Sequence, residues 1–245
     1  MENKIERLQS IIDNAKRVVF FGGAGVSTES GIKDFRSVDG LYNEKYDYPP
    51  EDVLSDWFFE QNPAEFYRFY YDKLILDGVK PNPAHFKLAE MERAGKLTAV
   101  ITQNIDGLHQ LAGSKKVYEL HGSVERNHCL NCGKFFSGED IATFKKRGVK
   151  IPKCECGGII KPDVVLYGEP LESRTLNGAI EAIYDADVMI VAGTSLTVYP
   201  ASGLLNYFRG DHLILINKTP TQADKVASVV IYGKVGETLS KIQIK

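Results

Sequence analysis

Short apolar runs recur along this chain at 17–21, 97–101, 116–120, 163–167, 187–192, 212–217 and 227–232. Helical patterns near 84–94, 105–112, 171–185, 201–208 and 235–243 fall between or after them, and another at 4–16 gathers Ile5, Leu8, Ile11 or Ile12, and Ala15 on one face. Strand alternating with helix predicts an α/β fold in which a parallel sheet is covered on both faces, since parallel neighbours need a crossover and a helix supplies it. In such a sheet, ligands collect where strands end. With 245 residues and 43% hydrophobic content, the chain has enough apolar surface for a full core.

Several of these strand ends carry chemistry. The run Arg17 to Phe21 leads directly into Gly22-Gly23-Ala24-Gly25-Val26-Ser27-Thr28-Glu29-Ser30-Gly31. Glycines there allow tight turning and close backbone approach to a ligand. The dinucleotide fingerprint G-x-G-x-x-G is not matched from Gly23, because Thr28 stands where its last glycine belongs. Phe35 and Arg36 follow, an aromatic ring beside a guanidinium, suited to stacking and to phosphate. After the run 97–101 come Gln103-Asn104-Ile105-Asp106, two amides and a carboxylate leaving a strand end together. His121 ends the next run.

All four cysteines lie between 129 and 156, as Cys129-x2-Cys132 and Cys154-x1-Cys156. In a reducing compartment this paired spacing predicts a structural tetrahedral Zn²⁺ site, with His128 as a substitute ligand because the second pair is tighter than C-x2-C. Such a module interrupts the alternating pattern and reads as an insertion held folded by its metal. The stretch 40–83, rich in aromatics from Trp57 to Tyr71 at helical spacing, reads as a second, helical insertion. The expected architecture is a Rossmann-like large lobe from about 1–39, 84–122 and 163–245. A small lobe comes from the helical insertion (40–83) and the zinc module (123–162). The cleft between lobes is the default site.

The blocks GAGVSTESGIKDFRS, TQNIDGLHQLAG, ELHG around His121 and GTSLTVYPAS at 193–202 resemble, in order and spacing, the signature blocks of the sirtuins, NAD-dependent protein lysine deacylases. The resemblance runs from Ala15 to about Thr238, and Lys33 departs from it where proline is usual. It implies NAD as co-substrate beside structural zinc. Ala24 and Thr28 would lie by the dinucleotide, Phe35 and Arg36 in the loop covering it. Gln103 and Asn104 would orient the ribose; Ile105 and Asp106 would bind the nicotinamide carboxamide. Gly193, Thr194, Ser195 and Asn217 would meet phosphate and adenosine ribose, and Lys234 and Val235 would border adenine. His121 would be the base that accepts a proton from the ribose hydroxyls, with Asn104 and Asp106 completing the catalytic group. The other histidines, His85, His109, His128 and His212, read as structural.

By the same resemblance, an acyl-lysine peptide would pair as an added strand with Val165, Leu166, Tyr167, Gly168 and Glu169 on one side and with Val198 and its neighbours Thr197 and Tyr199 on the other. Members that remove acidic acyl groups carry Tyr-x-x-Arg in the helical insertion; Tyr70 and Lys73 stand there in this chain, and a lysine lacks the planar fork that grips a carboxylate. Acetyl or another uncharged acyl group is therefore expected, with release of nicotinamide and 2'-O-acyl-ADP-ribose. Mono-ADP-ribosyl transfer or NAD hydrolysis at the same site, and a non-catalytic NAD sensor, are the competing readings. A net charge of -2 gives no expectation of direct nucleic-acid binding, and no apolar run approaches the ~20 residues that span a bilayer. The start, Met1-Glu2-Asn3-Lys4, lacks the features of a secretory signal, so a cytoplasmic location is expected.

Overall fold

A computed structural model describes residues 3–37, 39–43 and 46–244. Its main sheet is built from β1 (Val18–Gly22), β2 (Leu97–Thr102), β3 (Val117–Glu119), β7 (Val188–Ala192), β8 (His212–Asn217) and β9 (Val229–Tyr232), in the order β3-β2-β1-β7-β8-β9. Every neighbouring pair is parallel. β1 and β7 are buried at all positions, as the continuous apolar runs of a doubly covered sheet require. Alternate residues of β1 serve opposite faces. Val18 and Phe20 pack with α1 (Lys4–Asn14), α5 (Pro83–Arg93) and α9 (Val235–Leu239), while Val19 and Phe21 pack with α8 (Ser173–Tyr184) and the 3₁₀ segment Ala201–Tyr207.

Strand order determines where the crevice opens. From β1 the chain moves outward to β2 and β3, then returns across β1 to continue through β7, β8 and β9. The reversal leaves a gap above the carboxyl ends of β1, β2 and β7, the topological switch point at which open parallel sheets bind ligands.

A second, antiparallel sheet of order β5-β4-β6 contains β4 (Gly122–Cys129), β5 (Phe135–Ser137) and β6 (Ile160–Val164). This corrects the expected strand at 163–167. Its residues begin at Ile160, pair with β4 and do not enter the parallel sheet. The reason is visible in the run itself: Ile160, Pro162 and Val164 are buried while Lys161 and Asp163 are not, the alternation of a strand with one open face. The small-lobe core joins Phe58, Phe59, Phe66, Tyr67, Phe69 and Tyr70, from α3 (Asp56–Gln61) and α4 (Pro63–Lys73), to Val124, Ile160, Val164 and Leu166. The helical insertion and the cysteine module thus share one core, which extends beyond the expected boundary at 162.

The helix expected at 105–112 is reduced to α6 (Leu108–Leu111), because Gly107 is left-handed (φ 70°) and Asp106 Oδ1 accepts from Leu108 N at 3.0 Å. Asn82 opens α5 more firmly. Its side chain accepts from Ala84 N, its own N–H donates to His85 Nδ1, and its amide nitrogen donates to Val26 O at 2.8 Å, tying the helix start to the glycine-rich turn.

Candidate active site

A cleft of about 1030 Å³ occupies the switch point and extends between the two sheets. One wall is made of two glycine turns pressed together. Gly25 N donates to Gly193 O at 2.8 Å, and Gly23 N to Ala192 O at 3.2 Å. A Cβ on Gly25 would stand 2.7 Å from Gly193 Cα, and one on Gly193, which has φ +60°, would stand 2.4 Å from Val26 N. No side chain fits between these backbones, so the turns meet as bare peptide and leave polar backbone facing the cleft.

Beside these turns stands a hydrogen-bonded frame. Asn217, at the end of β8, accepts from Thr194 N at 3.0 Å and donates to Thr194 O at 2.9 Å, while Gln103 Nε2 donates to Thr194 Oγ1 at 3.0 Å. Three strand ends are locked to one residue. Ala24, Phe35, Arg36, Gln103, Ile105, Gly193, Thr194, Ser195, Asn217, Lys234 and Val235 all line the cleft, as expected. Thr28 does not. Its hydroxyl donates to Gly25 O at 3.1 Å, a bond within the turn.

Asn104, Asp106 and His121 also line the cleft. Ser27 holds the first two together, donating to Asp106 Oδ2 at 2.6 Å and accepting from Asn104 Nδ2 at 3.0 Å. Sequence reasoning passed over Ser27, which is 1% exposed, because it looked like one more small residue of the turn; its partners lie far along the chain. Burial pushes the Asp106 carboxyl above its ordinary range, and the bonds from Ser27 and Leu108 N counter this in part. His121 Nδ1 lies 2.9 Å from Gln103 O, and a carbonyl only accepts, so Nδ1 carries the proton and Nε2 keeps its lone pair. Burial lowers the imidazole below its ordinary value, with the Gln103 carbonyl opposing, so the ring is neutral at physiological pH.

The expected peptide edge, Val165 to Glu169 with Val198, also lines the cleft. One side of it is already paired: Tyr167 N donates to Leu54 O at 2.8 Å and Asp56 N to Tyr167 O at 3.0 Å. Val165 N donates to His121 O at 2.9 Å, which joins this edge to the histidine. The expected acyl-selecting pair is corrected. Tyr70 is fully buried, stacked on Phe66 at 5.7 Å, and does not reach the cleft; only Lys73 does, ion-paired to Asp72 at 2.9 Å. Tyr70 turns inward because α4 spends this face on the aromatic core. The wall beyond Lys73 is Leu74, Ile75, Leu76, Asp77 and Val79, mostly apolar.

The sulfurs of Cys129, Cys132, Cys154 and Cys156 all lie within 4.8 Å of one another, with Cys129–Cys156 at 3.4 Å and Cys132–Cys154 at 3.7 Å. None is in a disulfide. A tetrahedron with Zn–S of ~2.3 Å has edges of about 3.8 Å, so the four thiolates suit a closed zinc site. A Cβ at Gly158 would stand 2.6 Å from Cys129 Sγ, which explains the glycine there. His128 lies outside the group and packs its ring on Phe135 at 5.5 Å. Among the described residues, no helix is long and apolar enough to cross a membrane.

Comparison with known proteins adds an independent line. The model of the Sir2 family matches residues 23–200. An NAD-dependent protein deacetylase of Clostridium perfringens is 56% identical over 246 residues, covering 99% of each chain. A solved complex of Sir2 with p53 peptide and NAD+ has a TM-score of 0.85 at 38% identity, covering 98% of this chain and 96% of that one. A Sir2 variant bound to deacetylated p53 peptide and 3'-O-acetyl ADP ribose has a TM-score of 0.90, also at 38% identity, covering 98% and 97%.

Proposed function

The chain belongs to the Sir2 family and is an NAD-dependent protein deacetylase, and we propose that it works through His121 as general base, with Asn104, Asp106 and Ser27 holding the nicotinamide end of NAD. The observation that carries this assignment is the tautomer of His121. With Nδ1 given to the Gln103 carbonyl, the basic Nε2 is the atom left to work, in the cleft that Asn104 and Asp106 also line.

NAD and an acetyl-lysine peptide are the two substrates. The adenosine half meets Thr194, Ser195 and Asn217, and its phosphates meet the paired turns at Gly23–Gly25 and Gly193. The Asp106 carboxylate accepts from the carboxamide N–H. The acetyl-lysine peptide lies against the edge from Val165 to Glu169, with Val198 opposite. Held in line, its carbonyl oxygen displaces nicotinamide at the anomeric carbon, a step in which positioning supplies much of the rate. His121 then takes a proton from the ribose hydroxyls, and the 2'-oxygen attacks the acyl carbon. The protonated lysine amine leaves as the acyl C–N bond breaks, and water adds to the same carbon to release 2'-O-acetyl-ADP-ribose. The Leu74, Ile75 and Leu76 side chains are apolar and the neighbouring Lys73 is ion-paired to Asp72, which favours acetyl or another uncharged group.

The test is whether nicotinamide release from NAD requires an acetyl-lysine peptide. Nicotinamide release that depends on the peptide, together with deacetylation that falls at least ~100-fold in His121→Ala with ADP-ribose still bound, supports the reading. Equal release without peptide would favour NAD hydrolysis, and near-normal turnover by the variant would remove His121 as base.

A further inference from the structure

The loop expected to cover NAD and the edge expected to receive the peptide are joined by two phenols. That loop is closed on itself: Leu41 N donates to Asp34 O at 2.8 Å, and Tyr42 N to Phe35 O at 2.9 Å. Asp34 Oδ1 also accepts from Arg36 N and Ser37 N, at 3.1 and 2.7 Å. A Cβ on Gly40 would stand 2.8 Å from the Phe35 carbonyl carbon, so glycine is needed for the closure. Tyr42 is thereby fixed to the two residues that face the cleft. The Phe35 ring meets its ring edge-on at 5.5 Å, and the Arg36 guanidinium lies 5.2 Å from its centroid.

The Tyr42 hydroxyl then reaches across to Tyr167, with the two oxygens 2.8 Å apart. Tyr167 is itself held by its backbone bonds to Leu54 and Asp56, in the middle of the peptide edge. This side-chain bond joins residues 125 positions apart, and it forms only when loop and edge stand in this arrangement. A ligand beneath Phe35 and Arg36 and a ligand along Val165–Glu169 would each favour the same arrangement, and such favour is reciprocal by linkage.

Building on the deacetylase reading, we propose that Tyr42 and Tyr167 are a positioning pair that couples the two substrates, so that acetyl-lysine peptide tightens the binding of NAD and NAD tightens the binding of peptide. Neither phenol touches the reacting atoms. The pair transmits occupancy of one subsite to the other.

ADP-ribose with an acetyl-lysine peptide forms a complex that cannot react, which allows the coupling to be measured at equilibrium. Calorimetry would give the affinity for ADP-ribose without peptide and with saturating peptide, for wild type, Tyr42→Phe, Tyr167→Phe and the double variant. The expected result is a tightening in wild type that shrinks about fivefold in either single variant, the change that one net hydrogen bond carries. The double variant should lose no more than either single one, since all three remove the same bond. Peptide affinity measured with and without ADP-ribose should change by the same factor. Variants that keep the full wild-type coupling, or that weaken both ligands separately while their ratio stands, would overturn the proposal. A wild type that binds the two ligands independently would overturn it and leave the deacetylase reading intact. Absence of any peptide binding by wild type would overturn both.

Discussion

Lowering the pH from 7.5 to 5 should cost about 4 kcal/mol of folding free energy through two buried histidines, His85 and His109. They are 0% and 1% exposed, and their ring centroids lie 4.7 Å apart. Burial pushes His85 from its ordinary 6.5 down to about 4, with Glu29 opposing; burial, reinforced by His85, pushes His109 down to about 3. Below pH 6.5 the unfolded chain therefore protonates two rings that the folded chain keeps neutral. Unfolding takes up protons in this window, so the stability is complete above pH 6.5 and falls as the pH drops toward about 4. At pH 5 the uptake is nearly two protons, a slope of ~2.5 kcal/mol per pH unit, set against a total stability of roughly 5–15 kcal/mol for a typical domain. His121, also lowered, adds to the slope, and Asp106, raised, subtracts from it.

The His109→Phe variant isolates one ring. It keeps an aromatic ring beside Phe20, whose centroid is 6.1 Å away, and removes two ring nitrogens that have no hydrogen-bond partner. The expected outcome is undiminished stability at pH 7.5 and a loss between pH 7.5 and 5 that is smaller than in wild type by ~2 kcal/mol. Urea unfolding followed by circular dichroism, at several pH values with zinc and ionic strength held constant, measures the difference directly. Parallel curves for the two proteins would refute the argument from burial.

Ser27→Ala should lower kcat/KM by about 10- to 100-fold, since it removes a charge-assisted bond to Asp106 worth roughly 1.5–3 kcal/mol and leaves Asn104 without its partner; steady-state kinetics that match wild type would make Ser27 a packing residue only. Asp106→Asn should weaken inhibition by nicotinamide while leaving ADP-ribose affinity nearly unchanged, because the residues proposed to meet the adenosine half, Thr194 and Asn217, keep their bonds to each other. Equal losses for both ligands would assign Asp106 to the fold of the cleft. Metal analysis after dialysis should find one zinc per chain, and a strong chelator should unfold the antiparallel sheet and abolish activity, as expected where metal binding is coupled to folding. A metal-free protein with full circular dichroism and full turnover would contradict it.

Much of this architecture was legible in the sequence because its signals are local. The runs at Val18–Gly22 and Val188–Ala192 are apolar at nearly every position, which marks strands covered on both faces, and the glycines that follow them mark turns where backbone must meet backbone. The spacing of the cysteines identified a metal site in the same way, from residues close in the chain. His121, Asn104 and Asp106 stand at strand ends, and it was the resemblance to the sirtuins that assigned them to one site. What tertiary structure alone decided are the partnerships between distant segments. Ser27 meets Asp106 across 79 residues, and Tyr42 meets Tyr167 across 125. Ile160–Val164 pairs with β4 in place of the main sheet, Thr28 bonds within its own turn, and Tyr70 disappears into the small-lobe core. Periodicity states which side of a residue is buried. It does not state against what, because that depends on which elements come to lie side by side.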